Sequence, residues 1–152
     1  MKKLFLIFIF IIFMVALFKA NIFDFEDVIL VEKTIRCSYS DSDWMLQVYS
    51  DGSTAISPIG DLPLNVIIPS EMDGYVVTKV ADYAFSGYKD LKTIEFGKTI
   101  TEIGNYAFWD CKSLVSVTFG ADDLEIKENA FMGCSEKLIE KVKNAHPDAI
   151  WS

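Results

Sequence analysis

The chain has 152 residues, 51% of them hydrophobic, and its 22 acidic side chains outnumber 14 basic ones to give a net charge of −8. Nucleic-acid binding depends on neutralising phosphates with lysine and arginine, so this charge balance argues against a nucleic-acid partner. The length suits one domain.

The first twenty residues have the organisation of a secretory leader. A basic Met-Lys-Lys start is followed by an unbroken apolar run from Leu4 to Phe18. A membrane-spanning helix needs about 20 apolar residues, so this run is short for a permanent anchor. We predict a signal peptide at residues 1–20, cleaved after Ala20. Cleavage after Ala16 and retention as an N-terminal membrane anchor are the alternatives.

Residues 21–64 are not repetitive and contain the signals of a β-hairpin. Trp44–Tyr49 and Thr54–Ile56 are rich in strand formers, and Asp51-Gly52 lies between them. We predict that this region is an N-terminal cap. Its hairpin would cover the first repeat, whose core and strand edge would otherwise face solvent.

A unit of 23 residues recurs between residues 65 and 134, and its clearest marker is an Ala-Phe pair that ends at Phe85, Phe108 and Phe131. A period in the twenties is typical of a solenoid, in which each repeat buries its apolar face against its neighbours. We therefore expect about three repeats and a column of three phenylalanine rings along the solenoid axis.

Each repeat is predicted to contain a short parallel strand with alternating side chains. Val66–Ile68 corresponds to Ile94–Phe96 and to Val117–Phe119, with the first and third residues inward and the middle one outward. The segments that end in the repeated phenylalanines suit a helical or 3₁₀ turn back to the next strand. The first repeat carries a five-residue insertion at about 70–74, which we expect to project as a loop.

Residues 135–152 have a helical pattern, with Ser135 as N-cap and Pro147 as the stop signal. The apolar side chains fall on one helical face: Leu138, Ile139, Val142 and Ala145. We predict a C-terminal helical cap that seals the last repeat. A helix that binds a partner is the alternative.

Cys111 and Cys134 occupy the same position in successive repeats, whereas Cys37 has no equivalent. The two repeat cysteines should therefore lie near one another. They are either a stacked pair of free thiols, which behave as small apolar side chains, or a disulfide.

The first repeat, Val66–Phe85, reads Val-Ile-Ile-Pro-Ser-Glu-Met-Asp-Gly-Tyr-Val-Val-Thr-Lys-Val-Ala-Asp-Tyr-Ala-Phe. With Ile103–Leu114 it resembles the BspA-like (Treponema-type) leucine-rich repeats, whose "IP…DGY.VT.I" opening leads into "IG..AF..C..L" units. The resemblance covers about residues 48–138. It departs from the family pattern where Ala81 and Lys127 replace the usual glycine and Tyr88 replaces the first cysteine.

The resemblance implies a curved leucine-rich solenoid, usually on exported or surface proteins and often linked with adhesion or host contact. We accordingly predict an α/β leucine-rich-repeat solenoid of about three 23-residue repeats at 65–134. An N-terminal β-hairpin cap lies in 21–64 and a C-terminal helical cap in 135–152. The resemblance implies no enzyme activity and no shared binding residues.

The sequence shows no arrangement of residues that would support catalysis. His146 is the only histidine, and no nucleophile motif such as G-x-S-x-G accompanies it. The carboxylates are scattered, and neither Asp122-Asp123 nor the pair Asp41 and Asp43 matches a calcium-binding loop. We predict a protein that is not an enzyme and that has no cofactor and no metal.

We predict a secreted, cell-surface or periplasmic recognition module that binds a protein partner, in the manner of adhesion or host contact, through the outward side chains of its strands. Membrane contact would be limited to an uncleaved leader, and the sequence does not specify an oligomeric state. The candidate partner-binding residues are Ile67, Thr93, Glu95, Ser116 and Thr118 on the strands, together with Trp109, whose variable position suits an interface side chain.

Each candidate residue also has a plainer interpretation. The strand residues can form an ordinary solvated surface, and Trp109 can cover a neighbouring repeat. The alternative function is a structural component of a larger envelope assembly, with no ligand of its own, or a self-associating unit.

Overall fold

The computed structural model describes residues 29–147 and 150–151, so the predicted signal peptide at 1–20 lies outside the described residues. Strands predominate in this part of the chain, together with one helix, α1 (Glu136–Ala145). The strands in chain order are β1 (Val31–Tyr39), β2 (Ser42–Tyr49), β3 (Thr54–Ile59), β4 (Asn65–Ile68), β5 (Glu71–Met72), β6 (Tyr75–Val76), β7 (Lys79–Val80), β8 (Thr93–Phe96), β9 (Glu102–Ile103), β10 (Ser116–Thr118), β11 (Glu125–Ile126) and β12 (Ile150–Trp151).

The predicted hairpin is present as β2 and β3, which pair antiparallel with Leu46 opposite Ile56. β1 extends it by one more antiparallel strand, through a tight turn whose central residues, Ser40 and Asp41, both have positive φ. Such turns match the twist of the strands they join. β3 then pairs in parallel with β7, so the hairpin region continues directly into the strands of the repeats.

A seven-stranded sheet therefore runs in the order β1-β2-β3-β7-β9-β11-β12. β7, β9 and β11 are only two residues long and lie in parallel register, with Val80, Ile103 and Ile126 side by side and buried. β12 adds a parallel strand beside β11, beyond the helix. The sequence prediction for residues 135–152 did not include this strand.

The predicted strands of the repeats form a separate parallel sheet in the order β10-β8-β4. Val66, Ile94 and Val117 stand opposite one another and are buried, whereas the next residue along each strand is exposed. The predicted alternation is confirmed. The inward side chains of the seven-stranded and the three-stranded sheet belong to one hydrophobic core.

The predicted column of aromatic rings is also confirmed. The ring centroids of Phe85 and Phe108 are 5.2 Å apart, and those of Phe108 and Phe131 are 5.0 Å apart, with the planes within 6° of parallel. Phe96 and Phe119 form a second stack at 5.3 Å. Phe96 lies 6.1 Å from both Phe85 and Phe108 in edge-to-face contact, so the two columns pack together as one aromatic core.

The prediction of helical or 3₁₀ turns before the phenylalanines is wrong. These segments are hydrogen-bonded turns in which Tyr83 and Tyr106 have φ of 57° and 54°, a left-handed conformation that interrupts any right-handed helix. Some backbone hydrogen bonds lie within a turn, such as that from the Ser86 N–H to the Tyr83 carbonyl at 3.0 Å. Others join neighbouring repeats, such as that from the Phe85 N–H to the Ala107 carbonyl at 2.7 Å.

The five-residue insertion does not project as a free loop, contrary to the prediction. β5 and β6 form a small antiparallel hairpin around Asp73-Gly74, and the side chain of Met72 is 4% exposed within the core. The hydroxyl of Thr99 donates to the carbonyls of Val77, at 2.6 Å, and Ser70, at 3.0 Å. The insertion is thus joined to the next repeat by both apolar and polar contacts.

The predicted C-terminal helix is α1. Ser135 is its N-cap, and the Ser135 hydroxyl accepts a hydrogen bond from the Leu138 N–H. Leu138 and Val142 are buried and Ile139 is half-buried, but Ala145 is exposed, so the apolar stripe is shorter than predicted. None of the helices within residues 29–147 and 150–151 combines the length and hydropathy needed to span a membrane.

Candidate interaction surfaces

The outward face of the three-stranded sheet brings together the five strand residues that were predicted to bind a partner. Ile67, Glu95 and Thr118 stand side by side on β4, β8 and β10, and all three are exposed. Neighbouring strands are about 4.8 Å apart, so these side chains form a continuous row. Thr93 and Ser116 form a second row with Asn65.

The two rows differ in their internal hydrogen bonds. The Thr93 hydroxyl donates to the amide oxygen of Asn65 at 2.8 Å, and the Lys141 ammonium group donates to the Ser116 hydroxyl at 3.1 Å. Thr93 and Ser116 are accordingly half-buried. The row of Ile67, Glu95 and Thr118 presents the more accessible side chains, and we call it the strand-face row.

Apolar side chains are exposed on this sheet and just before two of its strands. Ile67 in the strand-face row is 60% exposed, and Leu64 and Val115, which precede β4 and β10, are 46% and 62% exposed. Beside Val115, a cleft of about 380 Å³ separates the sheet from α1 and is lined by Ser135, Lys137, Leu138 and Lys141. These exposed apolar side chains and the cleft make this face of the sheet one candidate interaction surface.

Trp109 does not belong to the strand face, because it lies in the turn segment between β9 and β10. It is 46% exposed, and its ring makes an edge-to-face contact with Tyr106 at a centroid distance of 6.5 Å. Tyr106 in turn stacks on Tyr83 at 5.1 Å. This tyrosine pair was not predicted, although both residues occupy the same repeat position, 23 residues apart.

The groups capable of acid–base or metal chemistry are dispersed in the described residues. His146 closes α1, donating its backbone N–H to the Val142 carbonyl at 3.0 Å, and its half-buried ring contacts Phe119 at 5.5 Å. The ring is therefore packed against Phe119 and only partly exposed to solvent. Within residues 29–147 and 150–151, no group of three or more histidine, cysteine or acidic side chains could hold a metal ion.

The three cysteines are free thiols, so the disulfide alternative is not realised in this structure. The Cys111 thiol donates to the Phe85 carbonyl at 2.9 Å, and the Cys134 thiol donates to the Phe108 carbonyl at 3.1 Å. Burial, reinforced by the neighbouring Cys134, raises the pKa of Cys111 to about 12, and burial raises the pKa of Cys134 to about 11. Both groups are inert neutral thiols at neutral pH.

These shifts predict a loss of stability in alkali. The free energy of unfolding should be unaffected by the thiols below pH 9.0, their ordinary pKa, and should fall as the pH rises toward 12. In that range the unfolded chain ionises its thiols whereas the folded chain cannot. Urea unfolding at pH 8 and pH 10.5 measures the fall. The Cys111→Ala variant should lose less stability over the same interval, and an equal loss in both proteins would contradict the prediction.

Comparison with known proteins identifies the architecture. The family model for the BspA type leucine-rich repeat region matches residues 65–144, which is more than half of the chain. The chain belongs to the BspA-type leucine-rich repeat family. Its short parallel strands and repeated Ala-Phe turns are thus features of a leucine-rich repeat fold. The expectation drawn from the Val66–Phe85 and Ile103–Leu114 motifs is confirmed.

Solved bacterial leucine-rich repeat proteins are similar to this chain. The leucine-rich repeat protein of T. pallidum is 30% identical with a TM-score of 0.53, over 58% of this chain and 42% of that one. A leucine-rich cell surface protein of Faecalibacterium prausnitzii is 26% identical with a TM-score of 0.53, over 68% of this chain and 29% of that one. A leucine-rich repeat protein of Bacteroides capillosus shares the fold. It is 19% identical with a TM-score of 0.52, and the match covers 69% of this chain and 89% of that one.

This BspA-type chain therefore spans less than half the length of the first two solved relatives. No curated protein sequence matches it. Leucine-rich repeats of this family are protein-interaction modules on bacterial cell-surface proteins.

Proposed function

We propose that this chain is a non-catalytic, secreted or cell-surface recognition module that binds a protein partner through its strand-face row. The observation that carries the proposal is the alignment of Ile67, Glu95 and Thr118 across three parallel strands, with all three side chains exposed. The leader-like residues 1–20 support export, and the cell-surface description of one solved relative supports that location.

The proposed architecture behind this function is a short solenoid. About three repeats share the stacked phenylalanine core, with the β1–β3 region covering one end and α1 covering the other. In this arrangement the core side chains are used for stability, whereas the strand-face row makes few contacts within the chain. The row is therefore available to a partner, and Ile67, 60% exposed, supplies an apolar contact beside the Glu95 carboxylate.

The test uses a photo-crosslinking amino acid placed at Ile67 or Thr118 of the full chain, expressed in its natural host. We expect one discrete crosslinked protein from both positions and none from the same group placed at Asp122, an exposed residue between β10 and β11. Crosslinks only to a second copy of this chain would favour the self-associating structural component instead. Equal crosslinking from Asp122 would contradict the proposed site.

Charge reversal provides a quantitative prediction for the same site. The double substitution Glu95→Lys and Thr118→Lys should weaken capture of the crosslinked partner at least tenfold, because Glu95 lies at the centre of the row, Thr118 lies at its β10 end, and both side chains are exposed. Asp122→Lys changes the charge away from the row and should leave capture within twofold. Binding titrations with the identified partner measure both effects, and equal effects of the two changes would contradict the proposal.

A further inference from the structure

A second surface lies on the turn segments, away from the strand-face row. Tyr83, Tyr106 and Trp109 form what we call the aromatic ridge. The two tyrosine rings are stacked at 5.1 Å with their planes 10° apart, and the Trp109 ring meets Tyr106 edge to face. Tyr83 and Trp109 are 54% and 46% exposed. Three adjoining aromatic side chains on the surface are unusual, because such rings are normally buried.

The backbone of the turns fixes the rings of the ridge relative to one another. Tyr83 and Tyr106 both have positive φ, and the Tyr83 N–H donates to the Asn105 carbonyl at 2.9 Å, so the turns of neighbouring repeats are joined. The two tyrosine rings are thereby stacked on the surface, with Tyr83 more than half exposed. A partner would therefore meet an aromatic surface that is already arranged for contact.

Acidic side chains border the aromatic ridge. Asp82 precedes Tyr83 and is exposed, and Asp110 follows Trp109. In the third repeat, Glu128 is exposed at the position equivalent to Asp82. Two basic side chains also lie near this border, because Lys112 pairs with Asp110 at 3.1 Å and Lys127 interacts with Asp82, but the chain as a whole has a net charge of −8. The border therefore favours a cationic ligand over an anionic one.

The electronic character of the rings favours the same ligand. The face of an indole or phenol ring attracts cations, most strongly for tryptophan, and arginine is the side chain that most often makes this contact in proteins. Aromatic faces and acidic border thus select a planar cation rather than a purely apolar group.

The geometry points to the aromatic ridge as a docking surface for an extended, arginine-bearing segment of a partner protein. A cleft of about 490 Å³ lies next to the ridge, between the third repeat and α1. Its lining includes the exposed side chain of Met132, together with Phe131 and Ile139. That cleft gives an apolar side chain of the same segment a place to pack. The aromatic ridge is separate from the strand-face row, so this inference and the proposed function can be tested, and refuted, independently.

The test is fluorine NMR of the full chain labelled with 5-fluorotryptophan. The chain has three tryptophans, and the signal missing from Trp109→Phe assigns the ridge. The probe is a ten-residue peptide with three arginines in a glycine–proline background, and the control peptide replaces each arginine with neutral, nearly isosteric citrulline. We expect the arginine peptide to shift the Trp109 signal, with at least tenfold tighter binding than the citrulline peptide at 0.15 M salt.

Matched variants test whether the arginine peptide binds at the aromatic ridge. Trp109→Ala and Tyr106→Ala should each weaken binding of the arginine peptide at least fivefold, as judged by titration calorimetry, because each removes part of the ridge. Ile67→Ala, an exposed apolar change on the strand face, should leave the affinity within twofold and separates this inference from the proposed function. Circular dichroism checks that the variants fold.

Several results would overturn the inference. Equal affinity for the citrulline peptide would show an apolar platform with no preference for cations. Unchanged affinity in Trp109→Ala would show diffuse attraction to an acidic chain. The absence of any shift at millimolar arginine peptide would rule out this ligand. Self-association that is lost in Trp109→Ala would identify a second copy as the occupant.

Discussion

Phe108→Ala should lower the free energy of unfolding by about 3–5 kcal/mol, the usual cost of deleting a fully buried phenylalanine ring. Phe108 has no solvent exposure and stacks on Phe85 at 5.2 Å and on Phe131 at 5.0 Å. It also meets Phe96 edge to face. The substitution therefore opens a cavity at the centre of the aromatic core and interrupts the column between its first and last rings.

Urea unfolding followed by circular dichroism measures this effect. Phe108→Leu restores much of the lost volume but no aromatic contact, so its cost should be smaller than that of Phe108→Ala. Val115→Ala removes an apolar side chain that is 62% exposed and should change stability by less than about 0.5 kcal/mol. A loss below about 1 kcal/mol for Phe108→Ala would mean that the stacked column contributes little to the fold.

Gly97→Ala should cost about 1–3 kcal/mol or more, because a methyl group has no room between the first two repeats. An added Cβ would lie 2.5 Å from the Ser70 hydroxyl oxygen and 2.8 Å from the Ser70 Cα, and it would also overlap the Ser70 backbone nitrogen. Backbone atoms cannot rotate away as a side chain can. Gly97 does not have a positive φ, so the cost arises from this contact and not from backbone strain.

Gly120 occupies the same repeat position and provides a graded control. A Cβ there would lie 3.0 Å from the Lys98 nitrogen and 3.1 Å from the Lys98 Cα, distances that a shift of a few tenths of an ångström relieves. Gly120→Ala should therefore destabilise the chain less than Gly97→Ala in the same urea unfolding assay. If Gly120→Ala were the more destabilising of the two substitutions, the contact between Gly97 and Ser70 would not be the tightest one between repeats.

The predictions that succeeded rest on patterns local to one repeat. Alternation within Val66–Ile68 and its counterparts fixed which side chains are inward, because successive residues of a strand point to opposite faces. The 23-residue spacing of the phenylalanines placed their rings in one column, because equivalent residues of stacked units lie above one another. The Asp-Gly signal between Trp44–Tyr49 and Thr54–Ile56 marked the hairpin.

The predictions that failed concern residues whose structure depends on distant partners. β7, β9 and β11 were not predicted, because they are too short to show any periodicity and form strands only by pairing with one another across 23 residues of sequence. The insertion was expected to project, but Met72 is apolar and finds space in the core. Tyr83 and Tyr106 were expected in helical turns, since nothing in their local sequence signals a positive φ.

For the candidate binding residues too, local sequence patterns predicted some features and contacts between distant residues decided the others. Strand alternation gave Ile67, Glu95 and Thr118 as outward residues, but the hydrogen bonds that occupy Thr93 and Ser116 come from Asn65 and from Lys141 on α1. Trp109 was grouped with the strand residues, whereas the structure places it on the turns beside two stacked tyrosines. Contacts between elements decided which candidates share a surface.

The sequence alone determined the repeat length, the family, the inward side chains of the repeat strands and the phenylalanine column, because a periodic apolar pattern leaves few ways to bury it. Tertiary structure decided how the hairpin joins the repeats, that Cys111 and Cys134 are separate thiols bonded to carbonyls, and that aromatic side chains gather on the turns. The physical reason is that these features depend on hydrogen bonds and ring contacts between residues 23 or more positions apart, whose geometry no local pattern encodes.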